Sequence, residues 1–136
     1  MLKGKKLIFI LLLFSLLIRL FILLISDDIT PLDVWGFSFA NVKHYHTPPL
    51  SIYLGRLAHL LNDSPMAIRI PNLILGSLLI IPFYYLAKIL YNQEIALFSS
   101  LVLCVFYPHI NMSVVSNEYI PYVFFSIYYF IFSLQF

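Results

Sequence analysis

Charge is what this sequence has least of. Only 10% of its 136 residues are Asp, Glu, Lys or Arg, against about 25% in an average soluble domain. Hydrophobic residues make up 62%, and the mean hydropathy is +0.95. So little polar surface cannot coat a water-soluble globule of this size, which excludes a cytosolic enzyme and a disordered tail. An excess of one sign is also missing. Eight Lys and Arg against six Asp and Glu leave +2, with no basic stripe for nucleic acid. A single cysteine, Cys104, excludes an intrachain disulfide and a paired-thiolate metal site. It lies in an apolar run and reads as a packing residue. No internal repeat or low-complexity linker divides the chain.

What is present is a series of apolar runs. At about 20 residues per crossing, the length accommodates three or four spans. The first is Leu7 to Ser26, interrupted only by Ser15 and Arg19. Lys3, Lys5 and Lys6 precede it and predict a cytoplasmic N-terminus. A cleaved signal peptide has an apolar region of only about 7–15 residues and a small-residue cleavage site; neither is found, which favours a retained anchor. Residues 27 to 67 form the most polar stretch, expected on the extracytoplasmic side. Within it, Leu50 to Leu61 is too short to span and fits an interfacial or re-entrant helix. Further spans are expected over 68–87, with Pro82 kinking the helix, over 95–115, and over 119–136. The predicted fold is therefore all-α: an integral membrane protein of about four transmembrane helices with one long outer loop.

The candidate chemistry sits at the outer ends of these spans. Asp27, Asp28 and Asp33 open the loop, and His44 and His46 follow. Carboxylates at a membrane surface can act as general bases or hold a divalent cation; equally, an aspartate pair can simply mark where an apolar helix meets water. Glu118, between the last two runs, falls on the same side and makes convergence of acids from two loops a testable arrangement. Arg19 lies about two turns inside the first span, where charge is expensive. It either snorkels to the outer headgroups, or orders the helix bundle or meets a lipid phosphate. Asn111-Met112-Ser113 has the form of a glycosylation sequon but lies close to the membrane and is discounted.

Several of these elements occur in a particular order. Asp27-Asp28 is followed by His46-Thr47-Pro48-Pro49-Leu50-Ser51-Ile52-Tyr53, then by Ala67-Ile68-Arg69-Ile70-Pro71-Asn72 and the span-opening Leu73-Ile74-Leu75-Gly76, and later by Tyr107-Pro108-His109-Ile110 through Ser116-Asn117-Glu118. This order resembles the N-terminal part of the lipid-linked-sugar glycosyltransferases of the C-type membrane fold. The likeness is greatest to glycosyltransferase family 39, the protein mannosyltransferase and aminoarabinose transferase relatives. Two departures are an Asp-Asp pair in place of Asp-Glu and a threonine between His46 and Pro48.

The resemblance implies transfer of a sugar, hexosyl or pentosyl, from a polyprenyl-phosphate donor to a protein, lipid or glycan acceptor outside the cytoplasm. In the family an acidic residue at the start of the loop deprotonates the acceptor, sometimes beside a divalent metal. Asp28 is the first candidate for that base, then Asp27, with Asp33 competing through Asp33-Val34-Trp35-Gly36. His46, Arg69 and Glu118 would fall on the substrate side, and Asp28, His46 and Glu118 are the candidate metal ligands. The setting would be the bilayer, the plasma membrane in a prokaryote, and no nucleic acid is implied. Because the family fold has more spans, the chain is expected to be an N-terminal portion, inactive alone. The rival expectation is a non-enzymatic accessory or assembly subunit; a solute transporter ranks last, since only Arg19 lies deep in a span.

Overall fold

The computed structural model describes residues 2–26, 53, 54, 56–58, 60, 67, 69–115 and 119–135. Among them every regular element is a helix: α1 (Leu2–Ile25), α2 (Arg69–Leu78), α3 (Ile80–Leu90), α4 (Gln93–Val105), α5 (Tyr107–Val114) and α6 (Tyr119–Gln135). The protein is an all-helical membrane protein, and two of its described helical stretches, or three if a bent pair is one span, are long and apolar enough to cross a bilayer.

Lys6–Ile25 of α1 is a predominantly apolar stretch of 20 residues, ~30 Å at 1.5 Å per residue, which matches a hydrocarbon core of about 30 Å. Helices α2 and α3 together form a second candidate span, Arg69–Leu90. They are separated only at Leu79, whose φ of −56° and ψ of −26° keep it helical. The interruption has a simple cause. Pro82 has no N–H to offer the Leu78 carbonyl, so the hydrogen-bond ladder fails one turn before the proline. The ladder resumes at once, with Phe83 N donating to Leu79 O at 3.1 Å.

The third apolar run is not straight. α4 and α5 are bent by 55° at Phe106, whose backbone is extended (φ −68°, ψ 104°). Pro108 lies in the first turn of α5, where a missing N–H is harmless but cannot continue the preceding helix. The pair counts as a third crossing only if both arms are one broken span. α6 is predominantly apolar, yet its 17 residues reach only ~25 Å.

Two ends of the bundle can be told apart. Ile8, near the start of α1, packs against Tyr84, Ala87 and Ala96, so Lys6 and Lys88 share one end. At this lysine end Tyr91-Asn92 turns α3 into α4, and the Asn92 side chain caps α4 by accepting from Ile95 N at 2.9 Å. Glu94 adds an acid to the first turn of α4, where the helix dipole favours it. The opposite, loop end carries Ser26, Arg69 and Val115, joined as described below.

Many large apolar side chains face outward, unlike those of a soluble domain, and small or polar residues share the interior with Leu, Ile and Val. Phe9, Phe21, Phe98 and Tyr129 are exposed, whereas Ser15, Ser77, Ser100 and Ser113 are buried with Ala87, Ala96 and Cys104. In lipid there is no hydrophobic force between helices, so small residues that allow close approach take the contacts. Three of the buried hydroxyls donate within their own helix: Ser77 Oγ to Leu73 O at 2.8 Å, Ser100 Oγ to Ala96 O at 2.7 Å, and Ser113 Oγ to Ile110 O at 2.7 Å. Cys104 is fully buried and unpaired, 3.6 Å from Leu11 O, in the packing role read from its sequence context. The helix expected over Leu50 to Leu61 is described in part. Residues 53, 54, 56–58 and 60 are helical, with Tyr53, Leu57 and Leu60 exposed at i, i+4 and i+7 spacing, one apolar face.

Candidate functional site

Two polar assemblies lie between the helices. The deeper is built on Arg19, which is fully buried. A helical side chain leans toward the N-terminus of its helix, and Arg19 follows that bias, reaching back one turn to Ser15. Its Nη1 donates to Ser15 O at 3.1 Å and to Ser15 Oγ. Its Nε crosses to α5 and donates to Ser113 Oγ at 2.8 Å. The guanidinium therefore points away from the loop end. It does not snorkel to the outer headgroups; it ties α1 to α5.

Gly76 of α2 makes this possible. A Cβ built there would meet Ser113 Cβ closer than real carbons approach, and would lie 3.5 Å from Arg19 Nε. Only hydrogen in place of a side chain lets α2 cross α5 at that point. His109 closes the assembly, its Nε2 lying 3.2 Å from Gly76 O in hydrogen-bonding position. Arg19 Nη2 has no hydrogen-bond partner among the described residues.

The second assembly is at the loop end. Arg69 and Asn72 stand three residues apart on the first turn of α2, one face of the helix, and both are buried. Arg69 Nη1 donates to Ser26 O at 3.2 Å. Asn72 Nδ2 donates to Val115 O at 2.9 Å. Ser26 is the residue after α1, and Val115 the residue after α5. These carbonyls belong to helix C-termini, where the last four C=O groups have no partner in their own helix. A cation beside them also meets the negative end of the helix dipole. The first turn of α2 thus caps two other helices.

Of the residues expected to carry chemistry, Arg69 is the one whose place is described. Asp27, Asp28, Asp33, His46 and Glu118 lie outside the described residues, as does His44. In the sequence, Asp27 and Asp28 are one and two residues past the capped Ser26, Asp33 is seven residues past it, and Glu118 is three residues past the capped Val115. Among the described residues no group of three His, Cys, Asp or Glu side chains could hold a metal ion; the three candidate ligands lie outside that set.

A shallow apolar groove of about 410 Å³ runs between α3 and α6, lined by Ile81, Pro82, Tyr85, Lys88, Tyr128 and Ile131. It lies toward the lysine end, with Lys88 in its lining. Asn72, Gly76, His109 and Ser113 had no predicted role. The available signal was slight: Ser15 and Arg19, the two interruptions of the first apolar run, are spaced i, i+4, as hydrogen-bonding neighbours on a helix are.

No curated protein and no solved structure gives a significant match to this chain. A family model does, over residues 46–136, about two thirds of the length, from the histidine before the proline pair to the end of α6. Asp27, Asp28 and Asp33 precede the matched stretch, and Arg69, Asn72 and Glu118 fall within it. The family is described as dolichyl-phosphate-mannose-protein mannosyltransferase, a membrane glycosyltransferase family of the mannosyltransferase type that uses a polyprenyl-phosphate sugar. On that match, and with helices sorted for a bilayer, the chain belongs to the dolichyl-phosphate-mannose-protein mannosyltransferase family.

Proposed function

We propose that the chain is the N-terminal membrane region of a glycosyltransferase that moves a sugar from a polyprenyl-phosphate donor to an acceptor on the extracytoplasmic side. The observation that carries this reading is the family match, which covers residues 46–136. The arrangement of the loop end supports it. Two acid-bearing segments, one opening with Asp27-Asp28 and one containing Glu118, follow in sequence on helix ends fastened to the same turn of α2.

In the proposed reaction an aspartate of the first loop accepts the proton of an acceptor hydroxyl. The freed oxygen attacks the anomeric carbon and forms the new glycosidic bond. The bond from that carbon to the phosphate oxygen breaks, its electron pair leaves with the polyprenyl phosphate, and the anomeric configuration inverts. Asp28 is the first candidate for the base, Asp27 the second and Asp33 the third. His46 and Glu118 are assigned to the donor side. Asp28, His46 and Glu118 are also the proposed ligands of a divalent cation, which when bound would neutralise charge on the leaving phosphate; the proton transfer itself uses the aspartate. For orientation, Lys6 and Lys88 at one end put that end in the cytoplasm by the positive-inside rule, and the loop end outside.

The test is sugar transfer in proteoliposomes, by the protein expressed with whatever its gene encodes in frame downstream. Polyprenyl-phosphate mannose labelled in the sugar is expected to lose label to envelope acceptors while free polyprenyl phosphate accumulates. Absence of transfer from both hexose and pentose donors on this carrier overturns the reading.

A further inference from the structure

We infer that Arg69 and Asn72 are positioning residues, which set the distance between the acidic loop after α1 and the acidic loop after α5. The resemblance places Arg69 at the substrate. Its geometry gives it other work: the side chain is fully buried and its Nη1 is spent on the Ser26 carbonyl. Asn72, 4% exposed, does the same for the Val115 carbonyl.

Both contacts are long in sequence, each spanning 43 residues, so local helix formation does not produce them. They fix where two chain segments leave the membrane. At a bilayer boundary an uncapped helix C-terminus carries carbonyls that neither lipid nor helix can satisfy. Two donors on one rigid turn satisfy one such terminus each, and in doing so they lock the α1 and α5 exits into one frame. Asp27 follows the first exit by a single peptide bond and Glu118 the second by three residues. Movement at either exit displaces the point from which an acid-bearing segment continues. A base displaced by about 1 Å can cost about a hundredfold in rate, so a clamp remote from the sugar still controls turnover.

This inference rests on the transferase reading for its consequence, and on the two hydrogen bonds for its geometry; the experiment separates them. In a Cys104→Ser background, spin labels are placed at Ile29 and Ser116, and their separation is measured by pulsed electron resonance in nanodiscs. Arg69→Gln and Asn72→Ala are compared with the unsubstituted chain, and Arg69→Lys serves as the conservative variant. The clamp predicts a shifted or broadened distance distribution in Arg69→Gln and Asn72→Ala, and partial recovery in Arg69→Lys. An unchanged distribution in both overturns it, whether or not the protein transfers sugar.

In the transfer assay the same variants should lower kcat by about ten- to a hundredfold and leave the donor KM within about twofold of the unsubstituted value. A raised donor KM with unchanged kcat and unchanged distances overturns the positioning role and returns Arg69 to the donor phosphate. If the unsubstituted protein transfers nothing, the transferase reading fails, and the distance measurement still decides the clamp.

Discussion

The hydrogen bond from Arg19 to Ser113 joins two segments 94 residues apart inside the membrane, and its worth follows from which partner is removed. Ser113→Ala keeps the Cβ that packs on Gly76 and removes the acceptor of the Arg19 Nε–H. A buried donor left without a partner costs about 1–3 kcal/mol in water-soluble proteins, more when charged. Coupling energies measured between membrane helices are smaller, about 0.6 kcal/mol on average and up to about 1.7. The structure favours the upper part of that range, because Arg19 is fully buried and its Nη2 already has no hydrogen-bond partner among the described residues. Ser113→Ala is therefore expected to destabilise the bundle by about 1–2 kcal/mol.

Arg19→Met behaves differently. It removes a charge that costs about 2.5–3.5 kcal/mol at the centre of an inserted helix and leaves Ser113 Oγ still donating to Ile110 O. Replacing a buried charge by an apolar side chain of similar volume is often neutral or stabilising. In the Arg19→Met background Ser113→Ala should cost under about 0.5 kcal/mol, giving a coupling energy near 1 kcal/mol in the double-mutant cycle. Equilibrium unfolding in mixed micelles with increasing dodecyl sulfate measures all four proteins. Equal costs of Ser113→Ala in the two backgrounds would refute the assignment of this bond as the tie between α1 and α5.

Gly76→Ala forces a Cβ onto Ser113 and should cost about 1–3 kcal/mol by overpacking in the same unfolding assay, with part recovered by adding Ser113→Gly. Cys104, fully buried, should react with maleimide far more slowly in folded micellar protein than after unfolding; equal rates would place it outside the core. With Cys104→Ser as background, Thr30→Cys should be labelled by an impermeant reagent from outside intact cells and Lys6→Cys only after lysis. The reverse pattern would invert the proposed topology.

The helical membrane fold was legible because it rests on run length and charge scarcity, both properties of the chain. Leu7 to Ser26 has one interpretation at 20 residues, and Pro82 and Pro108 mark their helix breaks because a missing N–H acts locally. The inward course of Arg19 was not legible. Hydropathy reports that an arginine lies deep in a span, but snorkelling and cross-linking differ only in which neighbour offers an acceptor, and Ser113 is supplied by a helix packed from far along the chain. Gly76 and His109 were hidden for the same reason, since a glycine within an apolar run has no local role to predict. Arg69 was found by resemblance alone. Its contact with Ser26 became visible only when α2 stood beside the end of α1. The acids of the loop were read from composition and order, and their assignment rests on chemistry in solution.

That chemistry is most directly tested by single-turnover sugar transfer in proteoliposomes with Asp27→Asn, Asp28→Asn and Asp33→Asn, separately and combined. A loop aspartate acting as general base predicts that one single substitution lowers the transfer rate by about 10²–10⁴-fold, with donor binding retained and the combined variant no worse than that single one. Full transfer by the combined variant would contradict the account.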